Sequence, residues 1–452
     1  MAMITLQQAA QWCDGLIDPK YKDVTFSGAN NDSRQIRPKE LFVCLEGLRD
    51  GHDYIPMAMD KGAAAVLCSR DVGDVPAIRV ADPRKALGQI ARHLRQSMDM
   101  KVVGITGSVG KSTTKEMVAA VLSMGYRVSK TPANHNNDLG LPMAILAMPE
   151  DTQVAVLEMG MNHFREIAYL STIAQPDIAV ITNIGTMHIE HLGSQQGILQ
   201  AKLEILEGMH PTGKLLVNGD DPLLREIQHR QVVEVACFGT QGPDCQYLGR
   251  DIREEEGRIC FQVVAGERQF PVELPLEGLH YVPDALAAIG VALEMGVSPE
   301  QIREAMGRFS NMAGRQEISQ VKGLTIIRDC YNAGPESMSA ALAVLGKKPG
   351  RRVAVLGDML ELGVCTQAEH YRVGRIAAEK ADVVLAFGPN SGRIVDGALT
   401  GGMSCANAQA FQERDRIVEA MKRIVKPGDV ILVKGSHGMR MEQILDKFLE
   451  EI

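Results

Sequence analysis

The stretch from Lys101 to Gly125 constrains the fold more than any other part of the chain. Lys101-Val-Val-Gly-Ile-Thr106 reads as a short buried strand. It runs through a glycine-rich turn into a helical pattern from Ser112 to Met124 that stops at Gly125. A strand that opens directly into a helix is half of a βαβ unit, and such a strand needs a parallel neighbour. The same punctuation recurs. Val154 to Leu157, Ile178 to Thr182, Lys214 to Val217, Val353 to Leu356, Val383 to Phe387 and Val430 to Val433 are further buried-strand candidates. Helical periodicity follows, for example over Gln367 to Lys380 and Gln412 to Ile424. The expected fold class is therefore α/β, with parallel sheets covered on both faces. Between Gly239 and Glu273 the pattern changes to short alternating runs, with Ile259, Phe261 and Val263 and then Phe270 and Val272. An antiparallel patch is expected there.

With 452 residues, the chain is expected to hold three domains. Breaks are expected near Asp82-Pro83 and near Asn311 to Gly314. The net charge of −8 argues against a nucleic-acid partner. Nine scattered cysteines, with no pair at CxxC spacing, argue against a disulfide framework or a structural zinc site and favour a reducing cytoplasm. The N-terminus lacks a basic segment followed by an apolar core, so no signal peptide is read. No apolar stretch reaches about 18 residues, so no membrane insertion is expected.

The chemistry gathers at Gly104-Ile-Thr-Gly-Ser-Val-Gly-Lys-Ser-Thr113. Gly107 and Gly110 let backbone N–H groups approach a polyphosphate, Lys111 pairs with its terminal phosphates, and the Ser112 hydroxyl reaches a magnesium ion. The strict GxxxxGK[ST] spacing is missed, because Gly104 lies one residue too early. Glu158 ends a strand and is suited to hold magnesium opposite Ser112. His188 follows the next strand, although a lone histidine there is more often at the surface or in the core. An Asn-rich turn, Thr131 to Pro142, lies beside the loop and reads equally as a set of Asx turns.

In order along the chain come Thr106-Gly-Ser-Val-Gly-Lys-Ser-Thr-Thr-Lys-Glu-Met117, Asn136 to Pro142, Glu158-Met-Gly160, Asn183-Ile with His188, and Ala201-Lys202-Leu-Glu204. This series resembles the Mur ligase family of ATP-dependent amide-bond-forming enzymes. Three further runs refine the resemblance. One is Asp32-Ser-Arg34 with Leu41-Phe-Val and Gly47-Leu-Arg-Asp-Gly-His52. The second is Asp329-Cys-Tyr-Asn-Ala-Gly-Pro335 with Ser337-Met338. The third is Leu356-Gly-Asp-Met-Leu-Glu-Leu-Gly363 with Val433-Lys-Gly-Ser436.

The resemblance spans essentially the whole chain. It implies a small α/β N-terminal domain for the UDP-sugar (1–83), a central parallel-sheet P-loop ATPase (84–312) and a Rossmann-like C-terminal domain (313–452). The implied reaction joins D-alanyl-D-alanine to UDP-N-acetylmuramoyl-tripeptide through an acyl phosphate. ATP and two magnesium ions serve it, in a cytoplasmic monomer. Carried over by position, Lys111, Lys202, His188 and Glu158 are the catalytic group. Thr106, Gly107, Ser108, Val109, Gly110, Lys111, Ser112, Thr113, Asn137, Arg315 and Asp329 bind ATP. Ser33, Arg34, Gly51, His52, Tyr331 and Asn332 bind the other substrates. Ser112 and Glu158 hold one metal ion, and His188 with Lys202 the second.

Lys202 is expected to be carbamylated, because a free lysine is a cation and repels magnesium, whereas its carbamate is an anionic oxygen ligand. Several positions depart from the family pattern. Tyr281 and Asp284 stand where the family has asparagines near the adenine, and Tyr281 is able to stack on a base. Cys330, Gly334 and His437 replace the usual Ser or Thr, Asn and Arg. A related ligase adding a single amino acid, or a non-catalytic binding protein on the same fold, are the alternatives. The third residue of the tripeptide stays open.

Overall fold

The computed structural model describes residues 2–227, 233–242, 244–255 and 257–452. Three larger sheets follow one another along the chain. The first is parallel, with strands Ala29–Asn30, Leu41–Val43, Ala65–Cys68 and Ala77–Arg79 in that order. The second has nine strands. Third from one edge, Lys101–Thr106 lies between Val154–Glu158 and Ile178–Ile181, parallel to both. Lys214–Asn218 and Glu234–Gly239 extend the parallel part. The third sheet runs Glu317–Val321, Leu324–Asp329, Val430–Lys434, Arg352–Gly357, Val383–Phe387, Ala408–Phe411, and only its first pairing is antiparallel.

The apolar runs become central strands because both of their faces are covered. Val102, Val103 and Ile105 are fully buried, as are Ile431, Leu432 and Val433. The helix Lys111–Leu122 buries Met117, Val118, Val121 and Leu122 in one cluster with Ala285, Ile289 and Ala292 of the helix Tyr281–Glu294. The expected antiparallel patch is a meander of Tyr247–Glu255, Arg258–Ala265 and Arg268–Leu274. Ile259, Phe261 and Val263 alternate inward along its middle strand, as a half-buried strand requires.

The helix Pro83–Ser97 starts on Asp82, whose carboxylate accepts hydrogen bonds from the N–H groups of Arg84 (3.0 Å) and Lys85 (3.1 Å). Its buried residues Ala86, Leu87, Ile90 and Leu94 join Leu41 and Leu67 of the first sheet and Leu157 and Ala179 of the second in one apolar cluster. The first two sheets thus share a core. The third sheet has cores of its own. Polar contacts tie it to the second sheet, among them the ion pairs Lys347–Glu254 and Lys348–Glu277.

One cysteine expectation is corrected. Cys237 and Cys245 are joined by a disulfide, and the remaining cysteines are free. The turn after Glu234–Gly239 brings Cys245 back beside Cys237, with Cα atoms 4.7 Å apart, so a spacing of eight closes where a search for CxxC finds nothing. Among the described residues no helix is long and apolar enough to cross a membrane.

Candidate active site

The loop between Lys101–Thr106 and Lys111–Leu122 sits at the carboxyl edge of the second sheet, where open α/β sheets carry their ligand sites. Gly107 and Gly110 have φ of 153° and 83°. A Cβ at Gly107 would collide with Thr182 Oγ1, and one at Gly110 with the Asp284 carboxylate. The loop is gripped from the next strand. Asn183 Oδ1 accepts from Val109 N (3.0 Å), while Thr182 Oγ1 (2.6 Å) and Asn183 Nδ2 (3.0 Å) donate to Val109 O. Ser108 Oγ accepts from Gly185 N (2.8 Å). Lys111 folds back and donates to Gly107 O (2.8 Å) and Ser108 O (3.0 Å). Burial pushes the Lys111 ammonium below its ordinary value, Glu158 opposes that shift, and Arg315 adds to it. Thr106 is fully buried beneath the loop, its hydroxyl without a partner among the described residues.

Glu158 is the hub of the site. Its Oε2 accepts from Ser112 Oγ (2.8 Å) and its Oε1 from Asn136 Nδ2 (2.9 Å). Buried Lys115 stands 3.8 Å from the same carboxylate. Arg315 reaches in from the far side of the cleft, with Nη2 2.9 Å from Ser112 Oγ. Its guanidinium lies 4.1 Å from the centre of the Tyr331 ring, a cation–π distance. A cavity of about 590 Å³ opens between these groups, lined on one side by Ser108 to Thr113 and on the other by Tyr331, Asn332 and Glu336.

His188 lines this cavity too, in a left-handed backbone conformation with φ 63°. Its Nδ1 lies 2.6 Å from Glu361 Oε2 without a well-aligned hydrogen bond. His188 holds the Glu361 carboxyl below its usual range. Lys202, on the helix Gln195–Leu203, is 2% exposed, and no acceptor pairs with it among the described residues. Burial pushes its ammonium well below the ordinary lysine value, and the nearby Lys111 charge adds to the shift. Asp284 lies under Gly110, accepts from Thr114 Oγ1 (3.1 Å), and is pushed up to about 7 by burial.

The remaining expected residues divide. Asp329 is ion-paired with Lys434 (2.7 Å) at the cavity wall, and Lys434 also donates to Asn332 O (2.9 Å). Asn137 faces the cavity, but its Oδ1 caps the following helix through Gly140 N (2.8 Å). Thr113 and Val109 line the cavity directly. Tyr281 is 4% exposed, and its hydroxyl accepts from Asn311 Nδ2 (2.6 Å). Ser33, Arg34, Gly51 and His52 lie in the part of the chain that carries the first sheet, outside this cavity. There His52 is buried between Asp50 (2.6 Å) and Ser69 Oγ (3.3 Å). Arg34 is held by Asp32 at 2.9 and 2.8 Å. The backbone of Gly51 closes against Leu45 O (2.9 Å).

Thr182, Asn183, Asn136, Lys115 and Lys434 were not singled out as site residues. Asn136, Asn183 and Lys434 stand inside the quoted runs, so a signal was present. Lys115 stands in such a run too, one helical turn after Lys111.

Comparison with known proteins agrees with this geometry. The Mur ligase middle-domain family matches residues 105–292, the Mur ligase glutamate ligase domain 314–437, and the Mur ligase catalytic domain 25–95. The UDP-N-acetylmuramoyl-tripeptide--D-alanyl-D-alanine ligase of Bacillus subtilis is 39% identical, over 99% of this chain and 98% of its own. A crystal structure of MurF from Acinetobacter baumannii superposes with a TM-score of 0.91 at 32% identity, covering 100% of this chain and 99% of that one. MurF ligase from Thermotoga maritima, solved with ADP, gives a TM-score of 0.83 at 30% identity over 94% and 97% of the two chains. The phosphate loop, the carboxylate at the next strand end and the arginine reaching across the cleft thus sit on a matching full-length scaffold, and the chain belongs to the Mur ligase family.

Proposed function

We propose that this chain is an ATP-dependent, ADP-forming ligase that joins D-alanyl-D-alanine to UDP-N-acetylmuramoyl-tripeptide, giving the pentapeptide precursor of peptidoglycan. The observation that carries the reading is the convergence of Lys111, Ser112, Glu158 and Arg315 on one loop. The full-length likeness to ligases named for this reaction supports the substrate pair. The chain divides on this reading at 1–83, 84–312 and 313–452. The first domain, with Ser33, Arg34, Gly51 and His52, holds the UDP end. The protein works as a cytoplasmic monomer.

Magnesium fits the donor set: the Ser112 hydroxyl and Glu158 carboxylate are hard oxygens 2.8 Å apart, and a bound ion would displace the Arg315 guanidinium from Ser112 Oγ toward the phosphates. A second ion on His188, which lines the cavity, would draw on Lys202 as an anionic ligand only if Lys202 carries CO2. A buried amine pushed toward its neutral form is the species that takes up CO2, and the carbamate gives an anionic oxygen where a cation has no counter-charge among the described residues. Bound ions neutralise phosphate charge and polarise the γ-phosphoryl group. A carbonyl NMR signal from isotopically labelled CO2, present in the parent and absent in Lys202→Met, is the expected result for Lys202. Its absence in both removes the carbamate.

The chain's own groups supply the rest. Loop N–H groups and Lys111 hold the ATP phosphates, and Lys111 exchanges its two carbonyl acceptors for them. Arg315 stabilises charge developing on the γ-phosphoryl group as a substrate carboxylate oxygen attacks phosphorus and ADP leaves. The amine nitrogen then attacks the acyl carbon, loses a proton, and phosphate departs. The cleft walls exclude water from the acyl phosphate. Mass spectrometry of a reaction with ATP and both substrates tests the reading, with pentapeptide and ADP as the expected products. Turnover with a single amino acid in place of the dipeptide reassigns the chain to a sister reaction. No turnover by folded protein overturns the ligase reading.

A further inference from the structure

Glu336 is the second residue of the helix Pro335–Lys347, on the C-terminal side of the cavity. Its Oε1 spans the cleft, accepting from Thr186 N (3.1 Å) and Thr186 Oγ1 (3.2 Å). Its Oε2 is buried and has no partner among the described residues. The other acidic side chains on the cavity wall are occupied. Glu158 is held by Ser112 and Asn136, Asp329 by Lys434, Glu166 by Asn162 N (2.6 Å), and Asp284 by Thr114. A buried carboxylate oxygen without a donor costs about 1–3 kcal/mol or more, so it marks a place that a ligand completes.

The charge pattern says what kind of ligand. Lys111 and Arg315 face the phosphate side of the cavity, where anions gather. Glu336 reaches across the cleft to Thr186, beside Met187, and Thr186 lies two residues before His188. Besides the metal ions and any side-chain ammonium of the tripeptide, the reaction brings in the ammonium of the incoming amine, the cation that must reach the acyl carbon itself. We propose that Glu336 Oε2 receives that ammonium and fixes the amine beside the acyl phosphate. The assignment deepens the ligase reading above and rests on it. Glu336 is then a substrate-binding residue, and it selects nucleophiles that enter as ammonium ions.

Hydroxylamine separates this role from a structural one, because it is uncharged at neutral pH and still captures an acyl phosphate, forming a hydroxamate and releasing phosphate. The parent, Glu336→Gln and Thr186→Val are compared with ATP, UDP-N-acetylmuramoyl-tripeptide and either D-alanyl-D-alanine or hydroxylamine. In Glu336→Gln the KM for the dipeptide is expected to rise about tenfold or more. Hydroxamate formation and the KM for ATP should stay within about twofold. Thr186→Val removes a clamp bond and keeps the carboxylate, so it should not reproduce that split. Parallel loss of hydroxamate and pentapeptide, an unchanged dipeptide KM, or the same split in Thr186→Val overturns the assignment. Failure of the parent to form either product overturns the ligase reading and this assignment with it.

Discussion

The two walls of the nucleotide cavity are built on different terms. On the central-sheet wall the phosphate loop itself is gripped: Val109 N and O, Ser108 Oγ and the carbonyls of Gly107 and Ser108 all have partners, and the orphaned atoms of that wall, Thr106 Oγ1 and His188 Nδ1, lie outside residues 107–111. On the C-terminal wall, Arg315 Nε and Glu336 Oε2 are buried without one among the described residues. A loop whose groups are satisfied is preorganised, and its substrate finds donors already aimed. A wall with orphaned atoms is completed by what binds there. The loop side should therefore govern nucleotide affinity, and the C-terminal side the chemistry and the later substrates.

The largest effect should come from breaking the loop side. Lys111→Ala should reduce ADP formation by about a thousandfold or more and weaken ATP binding, with an unchanged melting temperature. Coupled ADP release and calorimetry check both halves. Arg315→Ala sharpens the contrast from the opposite wall. Its kcat should fall by about a hundredfold, while ADP affinity measured by calorimetry stays within about threefold. A parallel loss of ADP affinity would erase the distinction between the walls.

Asn183→Ala removes both of that side chain's bonds to Val109 and should raise the KM for ATP about tenfold, with a smaller change in kcat. The smallest effect concerns Asp284. Its carboxyl, pushed up to about 7, is neutral below that pH and anionic above it, directly under Gly110. ATP binding should weaken a few-fold as pH rises through about 7, and Asp284→Asn should abolish that dependence. Stability carries the same sign. The folded chain keeps a proton that the unfolded chain releases above about pH 4, so this contribution is whole below pH 4 and lost as pH rises through about 7. Melting curves at pH 8 should favour Asp284→Asn, by about 4 kcal/mol at most. A flat pH profile in the parent would break the prediction.

The parallel strands were legible because burial on both faces writes them as unbroken apolar runs, as at Val430–Lys434 and Val383–Phe387. The phosphate loop was legible because its glycines and lysine act through local backbone geometry. The two-residue strand Ala29–Asn30 and the exposed edge strand Glu317–Val321 carry no such pattern. The pairings that build the site were not readable from spacing. Arg315 meets Ser112 across 203 positions, and Glu336 meets Thr186 across 150. Partners that distant depend on how the sheets dock, which no local period records. The Cys237–Cys245 bond escaped for a related reason, since it depends on the turn between two strands.

The helix Pro83–Ser97 fuses the first two sheets into one apolar body, whereas the third meets them through polar contacts. A shared apolar core resists bending more than a polar seam does, so the span from His52 to Lys111 is set by the stiffer of the two joints, like the gap of a caliper. If the proposed reading holds and a nucleotide-sugar is anchored at His52, it presents its peptide end to the phosphate loop only when the peptide has the right number of residues. Selectivity for chain length then needs no pocket for each side chain, because rigidity alone measures the substrate.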